Sequence, residues 1–257
     1  MLFARYMYHH NNCWCKYTKQ KQASCFILAG MKILVVAATL QEIEPLINNC
    51  QLPVISYPDT SNGNNLTNHQ SLPCTVLITG VGMVATAFAL GRHLASHTYD
   101  LAVNLGIAGS FDRSIALGEV VEITQDTFTE LGAEDNSQFI TLDSLGFGKT
   151  SYTAITRLAD YDHMATIKHA TGATVNTVHG AESSIAMLLR RITPQIESME
   201  GAAFFYACQQ TGIPALQIRA VSNYVEKRNR DAWKIGLAVK NLNTFATNLL
   251  QDLGCVQ

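Results

Sequence analysis

Two carboxylates and a carboxamide stand out as groups that could do chemistry: Glu42, Glu200 and Asn223. Glu42 lies in LQEIEPL, one turn into an amphipathic stretch whose Leu40, Ile43 and Leu46 point toward a core. A glutamate in a first helical turn is accounted for by the helix dipole alone. Glu200 is harder to explain so simply. It sits between Met199 and Gly201-Ala202-Ala203, a small apolar setting where a carboxylate is costly unless donors reach it. The vicinal hydroxyls of a ribose are one such donor pair. Asn223 follows Ser222 at the end of an apolar run, and Gly80-Val81-Gly82 and Gly106-Ile107-Ala108-Gly109 follow two others. The first glycine pair also meets the minimal dinucleotide pattern through Ala85, but it follows the third strand rather than the first. The next strand ends in Asn104, with no acid to hold a ribose. Both glycine pairs therefore read as tight turns that let the backbone approach a ligand closely.

These residues share one trait: each falls just beyond an apolar run. Strands are expected at 32–37, 53–57, 75–79, 101–105, 118–124, 172–177 and 214–221, and helices at 40–48, 82–97, 182–191, 200–211 and 229–250. The strands are nearly continuous in Val, Ile, Leu and Ala, so helices should cover both faces of the sheet. The fold class is α/β, a three-layer α/β/α sandwich. In such open sheets ligands gather beyond the carboxyl ends of the strands. Residues 58–73, rich in Asn, Ser, Thr and Pro, read as an exposed loop or loose hairpin.

Composition narrows the class of function. The chain has 257 residues, 47% of them hydrophobic, enough for one sizeable core. With 18 Lys+Arg against 20 Asp+Glu there is no basic stripe to neutralise a polyanion, so nucleic acid is not an expected partner. Seven scattered cysteines, an odd number, fit reduced thiols in a cytoplasmic protein. No stretch approaches the ~20 apolar residues of a membrane span. The run from Cys25 into Thr39 imitates a signal peptide, yet Lys32 interrupts it and MKILVVAAT reads better as a first strand. Residues 1–30 are read as a disordered N-terminal extension and 31–257 as a single domain. His9, His10, Cys13 and Cys15 lack the second ligand pair of a zinc finger and are read as part of that leader.

From Met31 onward the chain resembles the nucleosidase and phosphorylase superfamily, and within it the futalosine hydrolases of menaquinone biosynthesis. The resemblance rests on MKILVVAATLQEIEPL, GVGMVATAFALG, NLGIAGSFDRSIALGEVV, ESMEGAAFFYACQQTGIPALQIRAVSN and YVEKRNRDAW. It implies a nucleoside phosphorylase-like fold with a mixed central sheet, a purine nucleoside as substrate, a homo-oligomer (dimer or tetramer), and no metal or cofactor. It also implies roles for individual residues. Glu42 matches the carboxylate that activates the hydrolytic water, and Met199 and Glu200 match the residues that pack on the ribose and hold its hydroxyls. Ala108 and Gly109 match backbone that approaches sugar and base, and Val175 falls in the segment that lines the base. Arg219 and Ser222 match positions near the water and the base loop, and Asn223 takes the position facing the purine N7.

Two departures inform the choice of base. Related adenine nucleosidases carry Asp where this chain has Asn223, and a hydroxyl residue where it has Ile107. Asparagine cannot act as an acid but can donate N–H to N7 and to a 6-oxo oxygen, which favours hypoxanthine. Arg228, with Arg230 beside it, is the candidate for a substrate carboxylate such as the benzoate of futalosine, while Trp233 is expected to pack its helix on the core. Phosphorolysis would call for fixed arginines, and none occurs from Met31 through Gly91. A methylthioadenosine-type nucleosidase, a phosphorylase and a non-catalytic nucleoside binder are the alternative expectations.

Overall fold

The computed structural model describes residues 30–57, 73–136, 138–161 and 167–256. The expected leader and the polar loop at 58–73 fall almost wholly outside the described residues.

The buried run Ile33–Ala37 is β1, and helix α1, Leu40–Cys50, follows it. Ile43 and Leu46 of α1 are buried as expected, whereas Leu40 is exposed, because the helix turns its first residue outward. Next come β2, Val54–Ser56, and β3, Cys74–Ile78, then α2, Met83–Leu94, and the long β4, Leu101–Ser110. β5 spans Val120–Phe128, β6 Gly132–Asp135, β7 Gln138–Thr141, β8 Ser151–Thr153 and β9 Lys168–Thr174. The chain closes with α3, Glu182–Arg191; β10, Ile196–Ser198; α4, Gly201–Thr211; β11, Ala215–Tyr224; and α5, Ile235–Asp252.

Nine strands form one mixed sheet with the order β10-β9-β5-β11-β4-β1-β3-β2, and β8 pairs with β5. β5 runs antiparallel to β11, and β10 runs antiparallel to β4. That last pairing joins β4, β11, β5, β9 and β10 into a closed ring, while β1, β3 and β2 continue as an open sheet. Two apolar clusters divide the core. One joins the sheet to Ile43 of α1 and to Ala238, Leu242 and Leu249 of α5; the other joins it to Leu90 of α2 and Phe204 of α4. Helices thus cover both faces, which gives the three layers that the doubly buried strands required.

Several elements depart from expectation. β10 is three residues long and carries a glutamate, too short and polar for a periodicity signal. β6 and β7 form an exposed hairpin whose turn residue Asn136 takes the left-handed conformation, φ 53°. β9 begins earlier than predicted, at Lys168, because its exposed first residues lack an apolar pattern. The last helix starts at Ile235 rather than 229, after a short 3-10 turn at Arg230–Ala232.

Candidate active site

One cavity of about 460 Å³ opens at the carboxyl ends of β1, β4 and β11. Its wall includes Glu42, Ala108, Gly109, Met199, Glu200, Ser222, Asn223 and Arg228. Eight of the ten residues singled out by sequence therefore meet in one place. Arg219 and Val175 do not line it, and they differ in what they do instead.

Glu42 is the third residue of α1, and its carboxylate ties three segments together. Oε2 accepts from the Thr39 amide at 3.1 Å and from the Thr39 hydroxyl at 2.8 Å, and Oε1 accepts from the Ile107 amide of β4 at 3.1 Å. Three donors fix the group in place. Glu200 stands at the N-terminus of α4, where Oε1 accepts from the Gly82 amide at 3.0 Å. Gly82 has φ 97°, a conformation open to glycine, and this aims its N–H at Glu200. The second glycine of the apparent dinucleotide pattern therefore serves a carboxylate of the protein rather than a phosphate. Burial pushes the Glu200 carboxyl above its ordinary range, and the Arg219 guanidinium and the Gly82 amide pull it back.

Arg219 is fully buried beneath this arrangement. Its Nη2 donates to Asn104 Oδ1 and its Nη1 to the Ile218 carbonyl at 3.3 Å. A Cβ on Gly106 would stand 3.1 Å from Arg219 Nη1 and 3.2 Å from Glu42 Oε1, so a side chain there would press on both groups. Burial lowers the Arg219 pKa, and Glu200, Asp126 and Glu42 act against that shift. Asp126 is also buried, with Gln217 Nε2 and Thr174 Oγ1 each donating to it at 2.8 Å; burial pushes its carboxyl up to about 6.

Asn223 faces the cavity from the end of β11. Its Oδ1 accepts from the Ser222 hydroxyl at 2.8 Å and its Nδ2 donates to the Tyr224 carbonyl at 3.1 Å, which among the described residues leaves one N–H free. A Cβ on Gly109 would lie 3.3 Å from that nitrogen, so the glycine makes room for the amide.

Val175 is a correction. It lies just past β9 with no exposed surface, its amide bonded to the Ser198 carbonyl, because β9 ends at Thr174 and the chain is still held against β10 there. Val178 and His179, three and four residues on, reach the cavity instead. Trp233 is a second correction. It lines the cavity, with the Arg228 guanidinium 5.1 Å from its ring centroid, because α5 begins only after it. Arg230 lies in the 3-10 turn and does not reach the wall.

Sequence reasoning missed the His179–Glu197 pair. Glu197 Oε1 accepts from the His179 amide at 2.9 Å and Oε2 is bonded to His179 Nδ1. Burial raises the Glu197 carboxyl pKa, and the histidine bonds lower it. A lone histidine and a glutamate 18 residues apart leave no local signal.

The fold and the cavity define a class. The chain matches the phosphorylase superfamily over residues 32–252, and it belongs to that superfamily. More narrowly, it is similar to the futalosine hydrolase of Streptomyces coelicolor, 36% identical over 65% of this chain and 74% of the relative. The futalosine hydrolase of Thermus thermophilus is 28% identical over 69% of this chain and 81% of the relative. In structure it resembles the 5'-methylthioadenosine/S-adenosylhomocysteine nucleosidase of Helicobacter pylori, with a TM-score of 0.69 at 17% identity, covering 87% of this chain and 99% of the other.

Proposed function

We propose that this protein hydrolyses the N-glycosidic bond of futalosine, releasing hypoxanthine. The observation that carries the reading is the meeting of Glu42, Glu200 and Asn223 on one cavity wall, in a chain related to two futalosine hydrolases.

Breaking the bond from N9 to the anomeric carbon leaves positive charge on the sugar and negative charge on the departing base, and catalysis means stabilising both. Glu42, held rigidly by Thr39 and Ile107, acts as general base: it orients a water, takes its proton, and the hydroxide oxygen bonds to the anomeric carbon. Glu200 holds the ribose hydroxyls with Met199 packed on the sugar, and Ala108 and Gly109 form the backbone floor. Asn223, oriented by Ser222, points its free N–H at N7 and O6, where a well-placed donor is worth ~3 kcal/mol to the transition state. Arg228, against Trp233, takes the carboxylate at the far end of the substrate.

Water rather than phosphate as the nucleophile agrees with the charge of the wall. It carries the carboxylates Glu42, Glu197, Glu200 and Glu226 against the single arginine Arg228. Arg219 is bonded to Asn104 and buried. A phosphate dianion would meet mostly like charge. The same reading carries a homo-oligomer, dimer or tetramer: Val84, Phe88, Phe147 and Tyr206 are exposed apolar side chains. Among the described residues no helix is long and apolar enough to cross a membrane.

The test is a release assay with futalosine, inosine and methylthioadenosine, each with and without phosphate. Hypoxanthine from futalosine, at a rate independent of phosphate, is expected. Adenine release from methylthioadenosine in preference, or a requirement for phosphate, refutes the proposal.

A further inference from the structure

The His179–Glu197 pair has no part in the chemistry described above, yet it lies on the cavity wall. Sheet register places it. Glu197 of β10 pairs with Gly109 of β4, and Gly109 pairs with Asn223 of β11. Residues in register across adjacent strands share one face, and strands are ~4.8 Å apart, so Glu197 and Asn223 flank Gly109 on the same side at ~10 Å. The Asn223 amide lies beside Gly109, and His179 is bonded to Glu197 on the other side, so a base held over Gly109 would have Asn223 on one side and the imidazole of His179 on the other.

Both oxygens of Glu197 are engaged by His179, one by its main-chain amide and one by Nδ1. In the neutral ring, a proton on Nδ1 facing the Glu197 acceptor leaves the lone pair on Nε2. Among the described residues Nε2 has no partner, and the His179 side chain lines the cavity.

We propose that His179 Nε2 accepts a hydrogen bond from the base, and that this makes His179 a specificity-determining residue for 6-oxopurines, with Glu197 as the residue that positions it. A 6-oxopurine carries a proton on N1, whereas N1 of a 6-aminopurine is itself an acceptor and meets the Nε2 lone pair with its own. Asn223 offers a donor to O6 and His179 an acceptor to N1–H, so the two side chains read neighbouring, complementary atoms from opposite sides of the base. The inference rests on the placement of a purine nucleoside in this cavity.

The experiment compares kcat/KM for futalosine and its 6-amino analogue in the wild type, His179→Leu and Glu197→Gln. The wild type favours the 6-oxo substrate. His179→Leu lowers that ratio on the order of tenfold, through loss on the 6-oxo side. Glu197→Gln can donate to Nδ1 and so transfers the ring proton to Nε2, which moves the ratio toward the 6-amino substrate, a change that a purely structural role would not produce. In wild-type protein, which requires no variant to fold, hypoxanthine inhibits more strongly than 1-methylhypoxanthine, which lacks the N1 proton. An unchanged ratio in active variants, an equal loss on both substrates, or equal inhibition by the two bases overturns the role of His179 while leaving the nucleosidase reading intact. A wild-type protein that releases no base from either nucleoside overturns both.

Discussion

Replacing Glu42 by glutamine separates its two roles, as helix cap and as base, because the change keeps the shape and removes the charge. The carboxylate serves three donors through two oxygens: Thr39 N–H and O–H at Oε2, and Ile107 N–H at Oε1. An amide has one accepting oxygen, so in either orientation its NH2 group faces a main-chain N–H. One such mismatch costs ~1–3 kcal/mol when fully buried. Glu42 borders the cavity and water can reach it, so the lower end applies: about 1 kcal/mol, or about 2–4 °C in Tm for a domain of this size. The catalytic loss is of a different order. A general base contributes ~10²–10⁴-fold, roughly 3–5 kcal/mol of barrier, and glutamine cannot accept the water's proton. Hypoxanthine release from futalosine, followed through xanthine oxidase as urate absorbance, measures kcat; calorimetric titration of the same preparation measures binding. The expected result is turnover reduced at least a hundredfold, substrate still bound, and Tm lowered by a few degrees. A variant whose kcat stays within tenfold of wild type while its Tm falls refutes the argument, and Glu42 is then a helix-capping carboxylate and nothing more.

Arg228→Ala is expected to raise KM for futalosine about tenfold, in line with loss of one exposed charge-assisted bond, and to leave KM for inosine unchanged; an equal effect on both nucleosides removes Arg228 from the carboxylate subsite. For Asp126 burial lifts the folded-state pKa to about 6 from an ordinary 3.8. Stability linked to its protonation is therefore fully present below about 3.8 and lost as pH rises through about 6. By pH 7 the loss amounts to about 3 kcal/mol. Asp126→Asn, with Gln217 turning its amide to accept, should flatten Tm between pH 4 and pH 7 relative to wild type; a scanning-calorimetry slope unchanged by the substitution contradicts this. A Cβ at Gly201 would lie 2.0 Å from Asp126 Oδ2 and 2.4 Å from Gln217 Oε1, so Gly201→Ala should destabilise the fold by ~2 kcal/mol or more in urea unfolding, and wild-type stability would show that the helix shifts freely.

The strands that carry the site were legible because they are buried on both faces. Ile33–Ala37 and Cys74–Ile78 are uniformly buried, and such runs announce themselves in sequence. Glu200 was legible because an acid between Met199 and three small residues conflicts with its surroundings, and such conflicts mark sites. What failed was whatever depends on register. Val175 was assigned to the base-lining segment by family resemblance, and β9 ends three residues before the strand expected there, which hands the wall to Val178 and His179. The closed ring of β4, β11, β5, β9 and β10 depends on a three-residue strand, and no periodicity is measurable in three residues. Trp233 was assigned to a helix that begins two residues later, so its side chain was turned to the core when it belongs to the cavity.

Arg219 limits how far burial pushes the acids around it toward their protonated forms. Burial raises the pKa of both Glu200 and Asp126, and the attraction of the same guanidinium opposes each rise. One cation acts on Glu200, Asp126 and Glu42, so the formal charge of the cluster is negative. An excess of that sign suits a sugar that becomes cationic as its bond to the base breaks, and it would hinder a base leaving as an anion. The two needs are met by separation. The carboxylates Glu42 and Glu200 come from α1 and the start of α4, while the neutral donor Asn223 comes from the end of β11, bonded to Ser222 and Tyr224 rather than to any charge. An aspartate at 223 would add a further negative charge beside the departing ring unless it carried a proton. Asparagine meets that requirement at every pH, and it does so by recognising a base that needs hydrogen-bond donors rather than an acid.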